Sequence, residues 1–213
     1  MSATANEASG SWAEAYALLA QVMLEAPRRN DPALYESALW ETFPLAGISE
    51  SVNTAVAAVA AACPTSEESL VAVGADYTHL FVGPPKPAAM PWQTAHANPN
   101  ATSLSGTPTA QVRKALRGLG LQRDEENGQL EDHIGNILMV VAVMAERGLD
   151  EERRAFVDDH VLSWLDSLEA AVDEHEETGF YSALLAAVRA VSQADCAAVS
   201  TLEDAVEIYK LAP

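Results

Sequence analysis

The chain has 213 residues, with 12 lysines and arginines against 31 aspartates and glutamates, a formal net charge of −19 and a pI near 4.4. A field of that sign repels phosphate backbones and anionic lipid, which argues against nucleic acid and membrane surfaces and for a basic peptide or a cation. Hydrophobic residues make up 49% of the chain, many of them alanine, and β-branched runs are few, a composition that favours helix packed on helix.

From the N-terminus, "MSATANEASGSWAEAYALLA" lacks a basic n-region and does not read as a secretory signal. Helix starts recur along the chain. Ser11…Glu14 and Thr65…Glu68 have capping-box spacing, and Asp31-Pro32 and Thr107-Pro108 each offer a cap followed by proline. Asp150, Thr178 and Thr201 are further N-cap candidates. The pattern predicts helices over about 11–25, 32–41, 49–62, 66–81, 108–118, 132–147, 151–175, 179–194 and 202–211. No segment alternates with period two, so no β-sheet is expected. The expected fold is all-α, one globular domain over 1–213 built as a bundle of about nine to eleven helices.

Two stretches interrupt the pattern: a proline-rich loop at 82–107 and a second, hinge-like loop at 119–131. Loops longer than about 12–15 residues are usually functional or disordered. The first contains Met90 and Trp92, which favours packing on the body. The longest useful apolar run, "ILMVVAVMA" at 137–145, is short of the ~18 residues of a membrane span. Cys63 and Cys196 are too isolated for a disulfide framework or zinc motif, which fits a reducing cytoplasm.

Candidate chemistry gathers in three places. Val73, Tyr77, Leu80 and Phe81 share one helical face, which either packs in the core or walls a peptide groove beside the proline loop. Asp132 and His133 precede an apolar stripe of Ile134, Ile137, Leu138, Val141 and Met144. Asp132 reads as an N-cap or as a carboxylate able to hold an arginine in a bidentate pair. Between Asp150 and Glu177 the acids face solvent, while Phe156, His160 and Trp164 recur every four residues toward the core. No phosphate loop, dinucleotide fingerprint, zinc-protease motif or nucleophile elbow is present. The "RRAFV" at Arg153-Arg154 is followed by Asp158 and Asp159, so it is an ordinary helical turn.

Three segments, in order and spacing, resemble the TorD/DmsD family of redox-enzyme maturation chaperones. "YTHLFVGPPKPAAMPWQTAH" is similar to the family's aromatic-x-x-Leu-Phe, Gly-Pro and Pro-aromatic-Glu-Ser pattern. "EDHIGNILMVVAVM" resembles its Asp-His segment and apolar helix, and "FVDDHVLSWLDSLEAAVDEHEETGFYSALLAAV" its Phe…His…Trp helix with a following Phe-Tyr. "FVGP" with "PW" leans slightly toward the DmsD-like branch. One departure is Gln93-Thr94 in place of the family's Glu-Ser.

The resemblance implies a cytoplasmic chaperone without cofactor or catalytic activity. It would bind the twin-arginine signal peptide and the body of a molybdoenzyme catalytic subunit, and hold back export until the molybdopterin is in place. By the same resemblance Tyr77, Leu80, Phe81, Gly83, Pro84, Pro91, Trp92, Gln93, Asp132 and His133 form the peptide-binding site. Phe156, His160, Trp164, Phe180 and Tyr181 match too and are assigned to folding. The loop from Gly83 and the Asp132–His133 turn are expected to converge on one open groove, in a monomer or a helix-exchanged dimer. The alternative is a helical metal-binding protein or enzyme using Asp132, His133 and His160.

Overall fold

The computed structural model describes the backbone of residues 2–97, 105–122 and 128–210, and within these the side chains of 11–198. In chain order the helices are α1 (Ser2–Leu24), α2 (Ser37–Glu41), α3 (Glu50–Ala62), α4 (Glu67–Tyr77), α5 (Gln93–Ala97), α6 (Thr107–Gly118), α7 (Ile134–Glu146), α8 (Asp150–Val157), α9 (Ser163–His175) and α10 (Phe180–Lys210). Short 3₁₀ turns at Pro27–Arg29 and Pro32–Tyr35 link α1 to α2. Two π segments, Thr78–Val82 and Asp158–Leu162, extend α4 and join α8 to α9. Among the described residues there is no strand, and one isolated bridge pairs Trp92 with His133. The all-α expectation holds.

At the centre lies α7. Ile134, Ile137, Leu138, Val141 and Ala145 are fully buried, and they pack on Tyr16, Leu19, Ala20 and Met23 of α1. Each such aliphatic side chain contributes about 1.5–3 kcal/mol by leaving water. Gly135 sets how closely the two helices approach. A Cβ there would lie 2.6 Å from Leu24 Cγ and 3.1 Å from the Ala20 carbonyl oxygen. Around this pair, α3 packs on α10, and α10 on α8 and α9. The buried hydrophobic residues form a single contiguous cluster. No single described helix is long and apolar enough to cross a membrane.

Several boundaries differ from the sequence reading, each for a local reason. Helix α1 begins at Ser2, so Ser11 lies inside it rather than at its start. Residues 32–41 divide in two, because Asp31 caps a 3₁₀ turn at Pro32 and the Trp40 indole then donates back to the Leu34 carbonyl. The capping box falls one residue later than Thr65: the Ser66 hydroxyl accepts from Ser69 N, and Ser69 Oγ accepts from Ser66 N. Gly106, not Thr107, is the N-cap of α6, and Leu149, not Asp150, that of α8. At the start of α10, Glu176 accepts from Tyr181 N and Ser182 N, while Asp76 of α4 accepts from Thr178 N at 2.8 Å. These carboxylates answer the positive end of the helix. The two helices expected over 179–194 and from 202 are one continuous helix, Phe180–Lys210, so Thr201 is not a cap; residue 211 lies outside the described residues.

Candidate functional site

The proline loop begins where α4 runs out. Gly83 sits at φ 93°, and a Cβ there would meet the Lys86 backbone at 2.8 Å, so only glycine fits. The loop then folds back on the π segment, with Ala88 N and Ala89 N donating to the His79 and Leu80 carbonyls. Two further bonds tie it to the turn before α7: Gln93 N donates to Asp132 O at 3.0 Å, and Ile134 N to Pro91 O at 2.8 Å. The loop and the Asp132–His133 turn therefore do meet in space.

Asp132 is fully buried. One carboxylate oxygen accepts from Thr94 N at 2.8 Å, the other from the Thr109 hydroxyl at 3.0 Å. Thr94 and Thr109 also share a hydroxyl–hydroxyl bond of 3.1 Å. In this arrangement Asp132 is neither an N-cap nor open to a visiting arginine; it clamps the loop to α6 and α7. The cap of α7 is His133, whose Nδ1 accepts from Gly135 N. That ring is also fully buried, and burial pushes its pKa down to about 3. Its Nε2 has no partner among the described residues, nor does the buried indole nitrogen of Trp92. The two rings meet edge to face with centroids 6.0 Å apart.

Gln93 fastens the loop to the second π segment. Its Nε2 donates to the Asp159 carbonyl at 2.8 Å, and its Oε1 accepts from His160 Nδ1 at 2.8 Å. A glutamate could not donate to that carbonyl, so the departure from the family's Glu-Ser pattern has a defined role here. The carbonyls that receive these donors lie in the π segment. Asp159 O takes Gln93 and the Ser163 hydroxyl, and His160 O takes the Trp164 indole at 2.7 Å. His96 adds a third strut. Its Nε2 donates to Met90 O at 2.7 Å, its Nδ1 meets the Ser167 hydroxyl at 2.8 Å, and its ring lies 5.0 Å from that of Trp164. Burial lowers the pKa of both His96 and His160.

Tyr77, Leu80 and Phe81 do not wall an open groove. They are buried, and Tyr77 and Phe81 pack with Tyr181 at ring distances of 5.9 and 5.2 Å. The surface of the region is Val82, at 56% exposed, with Pro84, Pro85 and Lys86, and Trp92 is half-buried. Phe156, His160, Trp164, Phe180 and Tyr181 are all buried, as their assignment to folding requires. Asp132, His133 and His160 are not gathered as a metal centre. Their inward-facing atoms bind Thr94, Thr109, Gly135 and Gln93, and no cluster of three metal-binding side chains occurs among the described residues. Sequence reading missed Thr94, Thr109 and Ser163, hydroxyl residues whose types carry no signal until the loop is folded.

Residues 45–170 match the family model described as nitrate reductase delta subunit, a span that contains the whole loop–turn–π knot. The chain is 26% identical to the chaperone protein TorD of Vibrio cholerae serotype O1 (strain M66-2) over 199 residues, 86% of this chain and 89% of that protein. It is 26% identical to the chaperone protein TorD of Photobacterium profundum over 148 residues, 62% of this chain and 66% of that one. It is 31% identical to the Tat proofreading chaperone DmsD of Salmonella typhi over 131 residues, 61% of this chain and 62% of that one. With the family model covering more than half of the chain and relatives of both names among its matches, the chain belongs to the TorD/DmsD family of redox-enzyme maturation chaperones, which are not enzymes.

Proposed function

We propose that the protein is a cytoplasmic chaperone that binds the twin-arginine signal peptide of a molybdopterin-containing oxidoreductase subunit and assists its cofactor insertion, folding and export proofreading. The relatives named as TorD and Tat proofreading chaperones support this reading. The observation that carries it is Trp92. It is a half-buried aromatic anchor whose indole nitrogen has no partner among the described residues, beside an exposed apolar rim of Val82, Pro84 and Pro85. A leader's apolar stretch would lie against that rim, touching exposed Pro84 and the accessible part of half-buried Trp92.

In this reading the other site residues work from beneath. Gly83 and Pro91 shape the loop; Gln93, Asp132 and His133 anchor it; Tyr77, Leu80 and Phe81 support it from the core. The −19 charge speeds encounter with the leader's basic end, and that rate falls as salt rises. The molybdopterin belongs to the client, not to the chaperone.

Calorimetry with a twin-arginine leader peptide tests the proposal. Ordering a flexible peptide opposes binding, so affinity in the micromolar range is expected. Trp92→Ala should weaken it about tenfold or more, beyond what its loss of thermal stability explains. A Trp92→Ala protein that binds as tightly as wild type removes the anchor from the mechanism.

A further inference from the structure

A groove of about 860 Å³ runs between α3, α9 and α10, and the loop site touches these helices only at the first turns of α9 and at Tyr181 of α10. Its floor is small: Thr54, Ala55 and Ala58 on α3 face Ala186 and Ala190 on α10. Its rim is acidic. Glu50 and Asp173 have no ion-pair partner among the described residues, whereas the positive charge of Arg189 is already answered by Glu169 and Asp166.

The shape selects the kind of occupant. An added strand needs a free sheet edge, and the described residues have none; a polyproline ligand needs aromatic walls, and this groove has none. A floor of methyl groups instead admits a third helix at the 8–10 Å spacing of packed helices. Charge complementarity fixes the rest, because the unpaired acids at the rim sit in a field of −19.

We propose that this groove docks a basic amphipathic helix from the body of the client, a contact separate from the leader site. The client's identity rests on the chaperone reading above; the groove's preference for a basic helix does not.

The probe is a synthetic helix of about 18 residues, alanine and leucine on one face and lysine on its flanks, titrated by fluorescence anisotropy at about 150 mM salt. Wild type should bind in the micromolar range. Glu50→Lys with Asp173→Lys should weaken binding about tenfold or more, and the milder Glu50→Gln with Asp173→Asn about threefold. Glu151→Lys with Glu152→Lys, an equal charge change on α8 outside the groove, should change it less than about twofold. Equal loss in both lysine double variants means that only the global field attracts the helix, and the groove is refuted; so does a wild type that ignores the probe. A parallel titration with the leader peptide separates the two proposals. Leader binding should survive the groove changes and fail in Trp92→Ala. A wild type that binds the helix but not the leader keeps the groove and removes the leader site.

Discussion

Asp132 and Asp195 are both sealed inside the protein, yet they are answered by different chemistry. Asp132 meets only neutral donors, a backbone N–H and a hydroxyl, and what it holds is a loop. Asp195 meets a charge. Arg153, itself 3% exposed, donates to both its oxygens at 2.9 and 2.7 Å, and Tyr16 adds a bond of 3.1 Å. What Asp195 holds is the junction of α1, α8 and α10. Burial pulls the guanidinium pKa down, but the Asp195 carboxylate more than offsets this, so it rises. The ionic knot stabilises the frame, and the neutral knot shapes a surface. Damage to the first should appear as unfolding, and damage to the second as altered binding with milder unfolding.

The largest expected effect tests the ionic side. Asp195→Ala leaves the buried Arg153 with only the half-exposed Asp150 as counter-charge and should cost about 3 kcal/mol in urea unfolding. Replacing both partners, Arg153→Met with Asp195→Leu, should recover most of that; no recovery would show that the pair does more than neutralise itself. Next, Asp132→Ala orphans two buried donors and should cost about 2 kcal/mol. It should also weaken leader binding beyond what lost stability explains, and a purely global effect would erase the distinction between the two knots.

Acid sharpens the contrast further. His133 titrates near 3 in the folded protein, against about 6.5 in the unfolded chain. Stability is therefore complete above about 6.5 and declines as pH falls, by about 1.4 kcal/mol per pH unit for this one group. Burial shifts His96 and His160 in the same direction, so all three loop-anchoring histidines disfavour acid. Between pH 6 and 5, above the range of most carboxylates, His133→Asn should flatten the slope of unfolding free energy by roughly that amount. An unchanged slope would mean that the ring gains a proton without leaving its site. The smallest effect is Tyr16→Phe, which removes one bond to Asp195 while the ion pair stays, and should cost about 1 kcal/mol.

Much of the frame was legible in the chain. The stripe on α7 and the Asp31 cap are local patterns, and local patterns survive translation into structure. The convergence of loop and turn came from the family resemblance rather than from periodicity. Other features depend on partners far away in sequence. The sequence reading ends a helix at 194, whereas α10 continues through Asp195, whose charge is met by Arg153, 42 positions earlier. Asp132 reads as a cap or an arginine ligand until Thr94 and Thr109 are seen to fill its oxygens. The π segments carry no compositional mark, since they arise from how many residues must fit between two fixed packing contacts.

The segment Asp158–Leu162 has an evolutionary implication. A π turn amounts to one extra residue threaded into an otherwise regular helix. Deleting one position there would close the bulge and restore a regular helix, with a different set of carbonyls facing the loop. Gln93 and the Trp164 indole would lose their footholds on the Asp159 and His160 carbonyls together. Homologous chains should therefore tolerate substitutions along this stretch far more readily than a change in its length.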